Sequence, residues 1–483
     1  MKNKLIKSVF FQTSGSILTV IIRLITTMIL ARILKPEDFG KFALLMIIYG
    51  IGTQIAALNS TQVLLTRKFL SKKFLNSAFY YNLALNICIF LFIFLFSEKI
   101  ALFLGNNQLS FEIKLVAILF PFGSVSYIHN VLLMKQMDYH KLSLINVLTT
   151  IIESTIALLL VIFFNYNYSA LIYAFFFSII FKNIITVFFI KWIPKIEISL
   201  TIVYFLFKNG IYLFLENLMI YLKQNTDSLF IAKFLNYNIL GYYNFAYKLP
   251  NLILTRIIAP SMSVYIPSLT TINRDKELII YLTQTIKHII YVSMLIFLIV
   301  FILSKEFILI MWGEKWVESS WMMKFLIVSI IINLYSFPFG GILIKKNKMI
   351  FLLYSSALKL ILTIIFVYFS LLNFGLKGML YAIIIIAIIS FFINLFFLKK
   401  TFPEIKLKLF IIEISKPIFL AIIVVILNII LKSILIKVFN DYICIVFIII
   451  FITTSYLFIL KLLDNSFFIF YKNLLIKIIR KLR

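Results

Sequence analysis

The sequence predicts an all-α polytopic membrane protein with about fourteen transmembrane helices. Of its 483 residues, 63% are hydrophobic and 13% are charged, and the mean hydropathy is +1.07. A soluble domain carries about 25% charged residues, and a helix needs about 20 mostly apolar residues to cross a bilayer. This composition excludes a soluble enzyme, a nucleic-acid-binding protein and a disordered chain. The apolar runs do not alternate with period two, which excludes an outer-membrane barrel.

Apolar runs of transmembrane length follow one another along the chain, with short connections that leave no room for an extramembrane domain. The first run, residues 8–34, is too long for a cleaved signal peptide and is expected to stay as a span. Cys88 and Cys444 lie inside apolar runs and predict no disulfide framework. The predicted spans centre near Thr19, Gly52, Ile87, Gly123, Glu153, Ile180, Leu213, Leu254, Met294, Ile331, Leu360, Ala387, Val424 and Phe451.

The basic residues predict the topology. Alternate connections, taken with both termini, carry 26 Lys and Arg residues, whereas the other connections carry nine. Because cytoplasmic segments are enriched in Lys and Arg, we expect both termini in the cytoplasm. The net charge of +29 is then mainly a topology signal and needs no nucleic-acid partner. The four tryptophans lie near predicted span ends, where interfacial anchors are expected: Trp192, Trp312, Trp316 and Trp321.

The last segment, 464–483, is predicted to be a basic interfacial helix. From Phe467 to Arg483 apolar and basic residues alternate at helical spacing. Such a helix lies on an anionic inner leaflet, with its apolar face in the lipid. A helix that binds a protein partner is the alternative.

Three pairs of similar sequence segments indicate an internal duplication. Their spacings differ by only a few residues, and they occur in the same order in both halves. They pair Ala31-Arg32-Ile33-Leu34 and Gly40 with Ala232-Lys233-Phe234-Leu235 and Gly241, Ser97 to Gly105 with Ser304 to Gly313, and Asn165 to Ala174 with Asn373 to Ala382.

The duplication predicts two six-helix lobes in parallel orientation, because an even number of spans inserts both halves the same way round. The lobes are predicted at 1–198 and 199–408, with two additional transmembrane helices over 409–463. Two such repeats facing each other form a central cavity, which is transporter architecture.

Polar residues recur on one face of several predicted spans. Inside a membrane such faces must turn toward protein or water. The stripes come from both halves of the duplication, as a shared cavity requires. The residues predicted to line the cavity are Gln12, Ser16, Thr19, Asn244, Asn251 and Thr255.

Charged residues near the bilayer centre are costly and usually functional. Bases outnumber acids among them, which favours an anionic ligand such as a diphosphate. The predicted diphosphate-binding residues are Arg23, Arg256, Lys359 and Lys248. The candidates for ion coupling or internal charge pairing are Glu153, Glu216 and Asp227.

Structural roles are the alternative for each of these residues. Lys223 could pair with Asp227 one turn away, and Lys223 and Lys248 could extend to the interface. The three histidines, His129, His140 and His288, have no second ligand at metal spacing and are expected to be structural. We therefore expect no metal and no cofactor, with coupling to Na⁺ or H⁺ left open.

Several loop motifs resemble those of Wzx-type polysaccharide flippases, within the multidrug/oligosaccharidyl-lipid/polysaccharide exporter superfamily. The resemblance covers about residues 1–400, and Asn236 departs from the Gly common in relatives. The motifs are Ala31 to Gly40, Asp227 to Ala232 with Leu240-Gly241-Tyr242-Tyr243 and Ala246-Tyr247, and Gly313-Glu314-Lys315-Trp316.

The resemblance implies a MATE-like fold of two six-helix lobes plus two helices. It also implies a flippase of the bacterial inner membrane that moves undecaprenyl-diphosphate-linked oligosaccharide for surface polysaccharide synthesis by alternating access. The implied partners are that lipid-linked glycan and membrane lipids, together with a glycan polymerase or other assembly proteins.

Two alternative functions stay open at this point. A cation-coupled drug antiporter on the same fold needs acids to dominate the cavity. A membrane glycan polymerase or glycosyltransferase could use Glu37 and Asp38 but usually needs long outward loops. The sequence shows no phosphate-binding Gly-rich loop, nucleophile triad or metal cluster, so we expect no enzymatic activity.

Overall fold

The computed structural model describes residues 2–58, 60–261, 265, 267–435 and 441–482. Throughout this part of the chain all regular structure is helical, which confirms the predicted all-α class. The chain divides into two compact units, Met1–Asn244 and Phe245–Arg483. The lobe boundaries predicted from the duplication stay a prediction.

The first unit contains ten helices in the described residues and the start of an eleventh. They are α1 (Lys2–Ile33), α2 (Pro36–Ala57), α3 (Ser60–Thr66), α4 (Lys72–Leu95), α5 (Ser97–Phe103), α6 (Ser110–Val125), α7 (Tyr127–Lys135), α8 (Tyr139–Ile162), α9 (Ser169–Phe189), α10 (Leu200–Phe234) and α11 (Tyr237–Ile253).

In the second unit a π-helical segment, Leu254–Ile258, continues from α11. Eight further helices follow in the described residues. They are α12 (Asp275–Ile302), α13 (Ser304–Trp312), α14 (Ser319–Leu334), α15 (Phe339–Lys345), α16 (Met349–Thr401), α17 (Leu407–Leu435), α18 (Asp441–Leu463) and α19 (Asn465–Leu482).

The described part of the chain has ten helices that are long and apolar enough to cross a membrane. The number is eleven if α6 and α7, which meet at a bend of 44°, form one span. The chain is therefore a multi-pass membrane protein. Each predicted span centre falls within a described helical segment, including Leu254 at the start of the π-helical segment.

Helix α16 contains two spans. Its 53 residues would extend about 80 Å as one straight helix, more than twice the roughly 30 Å apolar core of a bilayer. The chain turns at Gly375, whose φ of 62° is favoured only by glycine. Lys359 and Asn394 lie 35 residues apart in sequence, yet their Nζ and Oδ1 atoms are 2.8 Å apart. The two halves thus form a helical hairpin.

The duplication recurs in the local structure of both units. Lys135 donates from Nζ to the carbonyl oxygens of Leu64 and Arg67. Lys345, at the matching place in the second half, donates to the carbonyl oxygens of Leu269 and Ile272. Leu269 lies 205 residues after Leu64, and Ile272 lies 205 residues after Arg67. In each repeat, a lysine at the end of the fourth span therefore donates hydrogen bonds to the connection that follows the second span.

The breaks between helices also repeat. Gly105 and Gly313 follow the short helices α5 and α13 and have φ values of 82° and 95°. Met137 and Asn347 precede α8 and α16 and have φ values of 55° and 56°. Matching left-handed residues at matching breaks support a common origin of the two halves.

The two repeated Ala31 and Ala232 motifs meet inside the first unit. A Cβ atom on Gly40 would lie 1.9 Å from the carbonyl oxygen of Tyr237, and one on Gly241 would lie 1.9 Å from that of Pro36. Both contacts obey the same offset of 201 residues, so the packing is reciprocal. Only glycine permits this approach of two backbones. At Asn236 the side chain replaces the turn glycine and caps α11 by accepting from the Ile239 amide at 2.8 Å.

Two of the four tryptophans differ from the expectation of interfacial anchors. Trp312 and Trp316 are buried, with 1% and 0% of their surface exposed. The Trp316 ring stacks on Phe245 with centroids 3.6 Å apart, and Trp312 meets the same ring edge-on at 5.1 Å. Position near a span end does not distinguish an anchor from a packing residue.

The C-terminal segment forms the expected helix, α19. Its first residues pack on α12, where His288 lies beside Phe467, Phe470 and Tyr471. Arg483 lies outside the described residues, as do the side chains from residue 474 onward, which include the basic Lys477, Arg480 and Lys481. The interfacial role of α19 stays a prediction.

Candidate functional site

An ion pair crosses from α1 to α8 near the middle of both helices. Arg23 Nη2 and Glu153 Oε2 lie 3.0 Å apart. The Arg23 side chain keeps 62% of its surface exposed and Glu153 keeps 24%. The sequence placed both residues at mid-bilayer depth, and α1 packs along α8 so that they meet.

The exposed apolar side chains of α1 lie on the other side of the helix. Ile17, Ile21 and Ile25 are all exposed. At about 100° per residue, Arg23 points roughly 160° away from their mean direction. Exposed apolar side chains on a membrane helix face lipid, so the exposed Arg23 guanidinium does not.

The predicted polar stripe of α1 shares the Arg23 face. Gln12 is exposed, and Ser16 and Thr19 are half-buried. Thr19 donates from its hydroxyl to the Ser16 carbonyl oxygen at 2.8 Å, which satisfies a hydroxyl inside the membrane without a partner from another helix. The stripe is a polar track along α1.

Lys182 on α9 was not singled out from the sequence. It is half-buried and lies within electrostatic range of Arg23. The available signal was depth, because Lys182 stands two residues from the predicted centre of its span. A second signal was the four-residue spacing of Ser178, Lys182 and Thr186, which places three polar residues on one face of α9.

Helix α10 carries the three charged residues predicted for it, but they do not pair with one another. Asp227 accepts from the Tyr243 hydroxyl and from the Ser228 amide at 2.8 Å. Glu216 and Lys223 are half-buried, and their side chains make no hydrogen bond or ion pair with any residue that the structure describes. The expected alternative of a Lys223–Asp227 pair does not form.

The polar stripe of α11 has a graded exposure. Asn244 and Thr255 are exposed, and Lys248 and Asn251 are half-buried. The Lys248 ammonium lies 5.0 Å from the centroid of the Phe245 ring. A cation–π interaction at this distance stabilises a partly desolvated charge. Thr255 donates to the Asn251 carbonyl oxygen at 2.8 Å.

Arg256 lies in the π-helical segment Leu254–Ile258 and is exposed. A π-turn is closed by hydrogen bonds between residues five apart instead of four, as between the Ala259 amide and the Leu254 carbonyl oxygen. π-turns inside membrane or soluble helices occur often at functional sites.

Lys359 is held inside the α16 hairpin. Its Nζ atom donates to Asn394 Oδ1 at 2.8 Å, and the Ser355 hydroxyl donates to the same oxygen at 3.0 Å. Lys359 is half-buried.

A second buried ion cluster, also missed in the sequence, stabilises the second unit. Lys287 on α12 is 6% exposed. Its Nζ atom lies 3.1 Å from Glu413 Oε2 and 2.5 Å from Asp464 Oδ2. Tyr291 and Ser466 also donate to Asp464, at 3.2 and 2.7 Å. With its carboxylates supplied internally, this lysine is a structural residue that joins α12, α17 and the start of α19.

An apolar groove lies between α12, α14, the second half of α16 and α17. Its volume is about 560 Å³, and its wall is almost entirely aliphatic and aromatic. Residues from all four helices line it, including Leu298, Ile331, Phe392 and Ile418. Its shape and chemistry suit a hydrocarbon chain. No cluster of His, Cys, Asp or Glu suited to a metal ion occurs among the described residues.

Comparison with known proteins gives related bacterial sequences. An "Uncharacterized membrane protein in cps region" from Klebsiella pneumoniae is 22% identical over 408 residues, which cover 83% of each chain. "Lipopolysaccharide biosynthesis protein WzxC" from Escherichia coli (strain K12) is 22% identical over 359 residues, 72% of this chain and 71% of that protein.

Solved structures share the fold. The lipid II flippase MurJ in an inward closed conformation superposes with a TM-score of 0.76 at 14% identity, over 97% of this chain and 100% of that chain. An inward-facing multidrug resistance MATE family transporter of the MOP superfamily gives a TM-score of 0.62 at 11% identity, over 80% and 96% of the two chains. The predicted MATE-like fold class is thereby confirmed.

The family described as "Polysaccharide biosynthesis protein" matches residues 29–321. The match starts just before the Ala31 motif and includes the Gly313 motif, the loop signatures on which the resemblance was based. Family and fold together agree with the prediction of a transport protein and not an enzyme. Since the match covers more than half of its length, the chain belongs to this family of polysaccharide biosynthesis proteins.

Proposed function

We propose that the protein is a flippase that moves undecaprenyl-diphosphate-linked oligosaccharide repeat units across the bacterial inner membrane for surface polysaccharide synthesis. The observation that carries this proposal is the position of Arg23. It is a charged, exposed guanidinium at mid-bilayer depth, on the helix face opposite to the exposed isoleucines of α1. Such a costly charge is retained where it binds an anion.

The diphosphate is the anion that best fits the cations on these spans. A guanidinium binds a phosphate through two parallel N–H donors, whereas an ammonium acts as a compact point charge. In this proposal the Arg23 guanidinium binds a phosphate group during transport, and Arg256, Lys359 and Lys248 add positive potential.

The other two parts of the substrate have matching surfaces. The hydroxyl-rich oligosaccharide follows the polar residues of α1 and α11, which offer hydrogen-bond donors and acceptors inside the membrane. The isoprenoid tail remains in apolar surroundings, and the groove between α12, α14, α16 and α17 offers them within the protein. Transport then proceeds by alternating access, with the cavity opening to one side at a time.

Topology and coupling belong to the same proposal. Both termini lie in the cytoplasm, since the connections on that side carry most of the Lys and Arg. Glu153, Glu216 and Asp227 are the acids available at depth to couple an ion gradient, Na⁺ or H⁺, to transport. A glycan polymerase acting on the delivered units is the expected functional partner.

The deciding experiment deletes the gene and analyses the lipid-linked glycans of the cell. We expect complete lipid-linked repeat units to accumulate on the inner leaflet, together with loss of surface polysaccharide. Restoration by the wild-type chain and failure of restoration by Arg23→Ala would support the proposal. Accumulation of unpolymerised units on the outer leaflet would instead indicate a polymerase. Unchanged glycan export, with altered resistance to organic cations, would indicate a drug antiporter.

A further inference from the structure

Three neighbouring helices of the first unit each carry a charged side chain near mid-bilayer depth. Arg23 on α1 pairs with Glu153 on α8 at 3.0 Å, and Lys182 on α9 lies within electrostatic range of Arg23. Each residue stands within about one helical turn of the middle of its span, residues 11–33, 139–162 and 169–189. Helix α8 packs against both α1 and α9, which brings the three together.

All three side chains point away from lipid. The exposed apolar residues of α8 include Ile151, Leu159 and Ile162, and Glu153 lies roughly 160° from their mean direction at 100° per residue. On α9 the exposed Phe177, Ile184 and Phe188 lie roughly 140° from Lys182. The three helices thus present their charges on their inward faces.

The cluster has two cations and one anion. Glu153 neutralises Arg23, whereas the Lys182 ammonium makes no hydrogen bond and no ion pair with any residue that the structure describes. Two like charges at mid-bilayer depth repel each other and are costly to bury. A cluster of this composition is one anion short of neutrality.

We propose that Arg23 and Lys182 form a two-cation clamp for the diphosphate, in which Glu153 takes the place of the substrate when the clamp is empty. This inference rests on the proposed flippase function and adds Lys182 and the exchange at Glu153 to it. One phosphate replaces the Glu153 carboxylate on the Arg23 guanidinium, and the other phosphate meets the Lys182 ammonium. Glu153 therefore acts as a competitor for the site and not as a substrate ligand.

The exchange solves a problem that every flippase faces. After releasing its substrate, the carrier must return with an empty cavity. An unpaired guanidinium at mid-bilayer depth would oppose that return, because a charge without a partner inside the membrane is costly. With Glu153 in place, Arg23 is paired in both the empty and the loaded state. Glu153 also limits affinity, which allows release.

The test measures binding of farnesyl diphosphate and farnesyl monophosphate to the full-length protein in lipid nanodiscs. We expect the wild type to prefer the diphosphate at least tenfold. Lys182→Met, which keeps the apolar stem volume, should weaken diphosphate binding about tenfold and reduce this preference. Glu153→Gln should tighten diphosphate binding severalfold. Lys182→Arg should retain most of the preference.

Lys191→Ala is the matched control, since Lys191 follows the same helix but is exposed at its end. It should bind like the wild type. Thermal unfolding of every variant shows that the fold is intact, and Lys182→Arg provides a second folded variant should Lys182→Met unfold.

The outcomes separate this inference from the proposed function. If Arg23→Ala weakens diphosphate binding but Lys182→Met and Lys182→Arg leave it unchanged, the clamp is wrong and the flippase proposal stands. If Glu153→Gln weakens binding, the competitor role is wrong. If none of the variants, including Arg23→Ala, changes diphosphate binding, the cationic site falls together with the proposed function.

Discussion

At the scale of single residues, the depth of a charged residue in the membrane could be predicted from the sequence, whereas its interaction partner could not. Arg23 and Glu153 were both expected at mid-bilayer depth, and the structure joins them at 3.0 Å. Their pairing could not be read from the sequence, because it depends on how α1 packs along α8. Lys182 and Lys287 were not singled out, although Ser178 and Thr283 stand four residues before them and share their helix faces.

The same limitation applies to the structural alternatives. Lys223 and Asp227 stand four residues apart on one helix, a spacing that commonly allows an ion pair. In the structure Asp227 accepts instead from Tyr243 and Ser228. Tertiary hydrogen bonds override local spacing when the partner lies on a neighbouring segment.

Asp464 provides a test at this scale. Burial opposes ionisation of its carboxyl, but hydrogen bonds from Lys287, Ser466 and Tyr291 and the Lys287 charge outweigh burial and lower the pKa of Asp464. Because this pKa is lower in the folded than in the unfolded protein, the ionised carboxylate stabilises the fold fully above the unfolded-state pKa of about 4. That stabilisation is lost as the pH falls through the folded-state pKa.

We therefore expect Asp464→Asn to destabilise the protein by about 1.5–3 kcal/mol at neutral pH, as for a lost charged hydrogen bond. The stability difference between wild type and variant should shrink below about pH 4. Thermal unfolding in detergent across pH 3 to 7 measures it. A difference that stays constant with pH would contradict the ionised, paired state of Asp464.

At the scale of elements, the spans were predictable and their irregularities were not. Lipid imposes a length of about 20 apolar residues on each crossing, so every predicted centre falls on a described helical segment. The π-turn at Arg256 leaves no mark in the hydropathy pattern. The reciprocal packing of Gly40 and Gly241 became visible only as a contact, although the repeated motif had marked both positions.

The repeated lysine contacts give a prediction for matched elements. Lys135 and Lys345 each donate to two backbone carbonyl oxygens at the end of a preceding segment. Such carbonyls at helix ends need partners. We expect Lys135→Met and Lys345→Met each to lower the free energy of unfolding by about 1.5–3 kcal/mol, because each leaves acceptors for a charged donor unsatisfied.

Fluorescence-detected thermal unfolding measures both variants. Lys348→Met is the matched control, since Lys348 lies three residues beyond Lys345 and is exposed. Its stability should equal that of the wild type. Stability losses for Lys345→Met and Lys348→Met that do not differ would show that the carbonyl contacts contribute nothing beyond the general effect of removing a charge.

At the scale of the whole molecule, composition and duplication were sufficient to predict the class, and the family and the superposed transporters confirm it. The chemistry of the substrate does not follow from the fold class. It depends on a small number of polar and charged groups among many apolar residues, and the same fold serves a lipid II flippase and multidrug transporters, as their names state. The charges of the inward helix faces therefore carry the functional proposal.

Reconstituted transport tests that proposal most directly. The purified protein is placed in proteoliposomes with a fluorescent undecaprenyl-diphosphate-linked oligosaccharide, and transfer of the substrate between leaflets is followed over time. We expect rapid transfer by the wild type and a loss of more than tenfold in the Arg23→Ala, Arg256→Ala double variant, with an intact fold in both. Equal transfer rates in the wild type and the double variant would contradict a cationic diphosphate site.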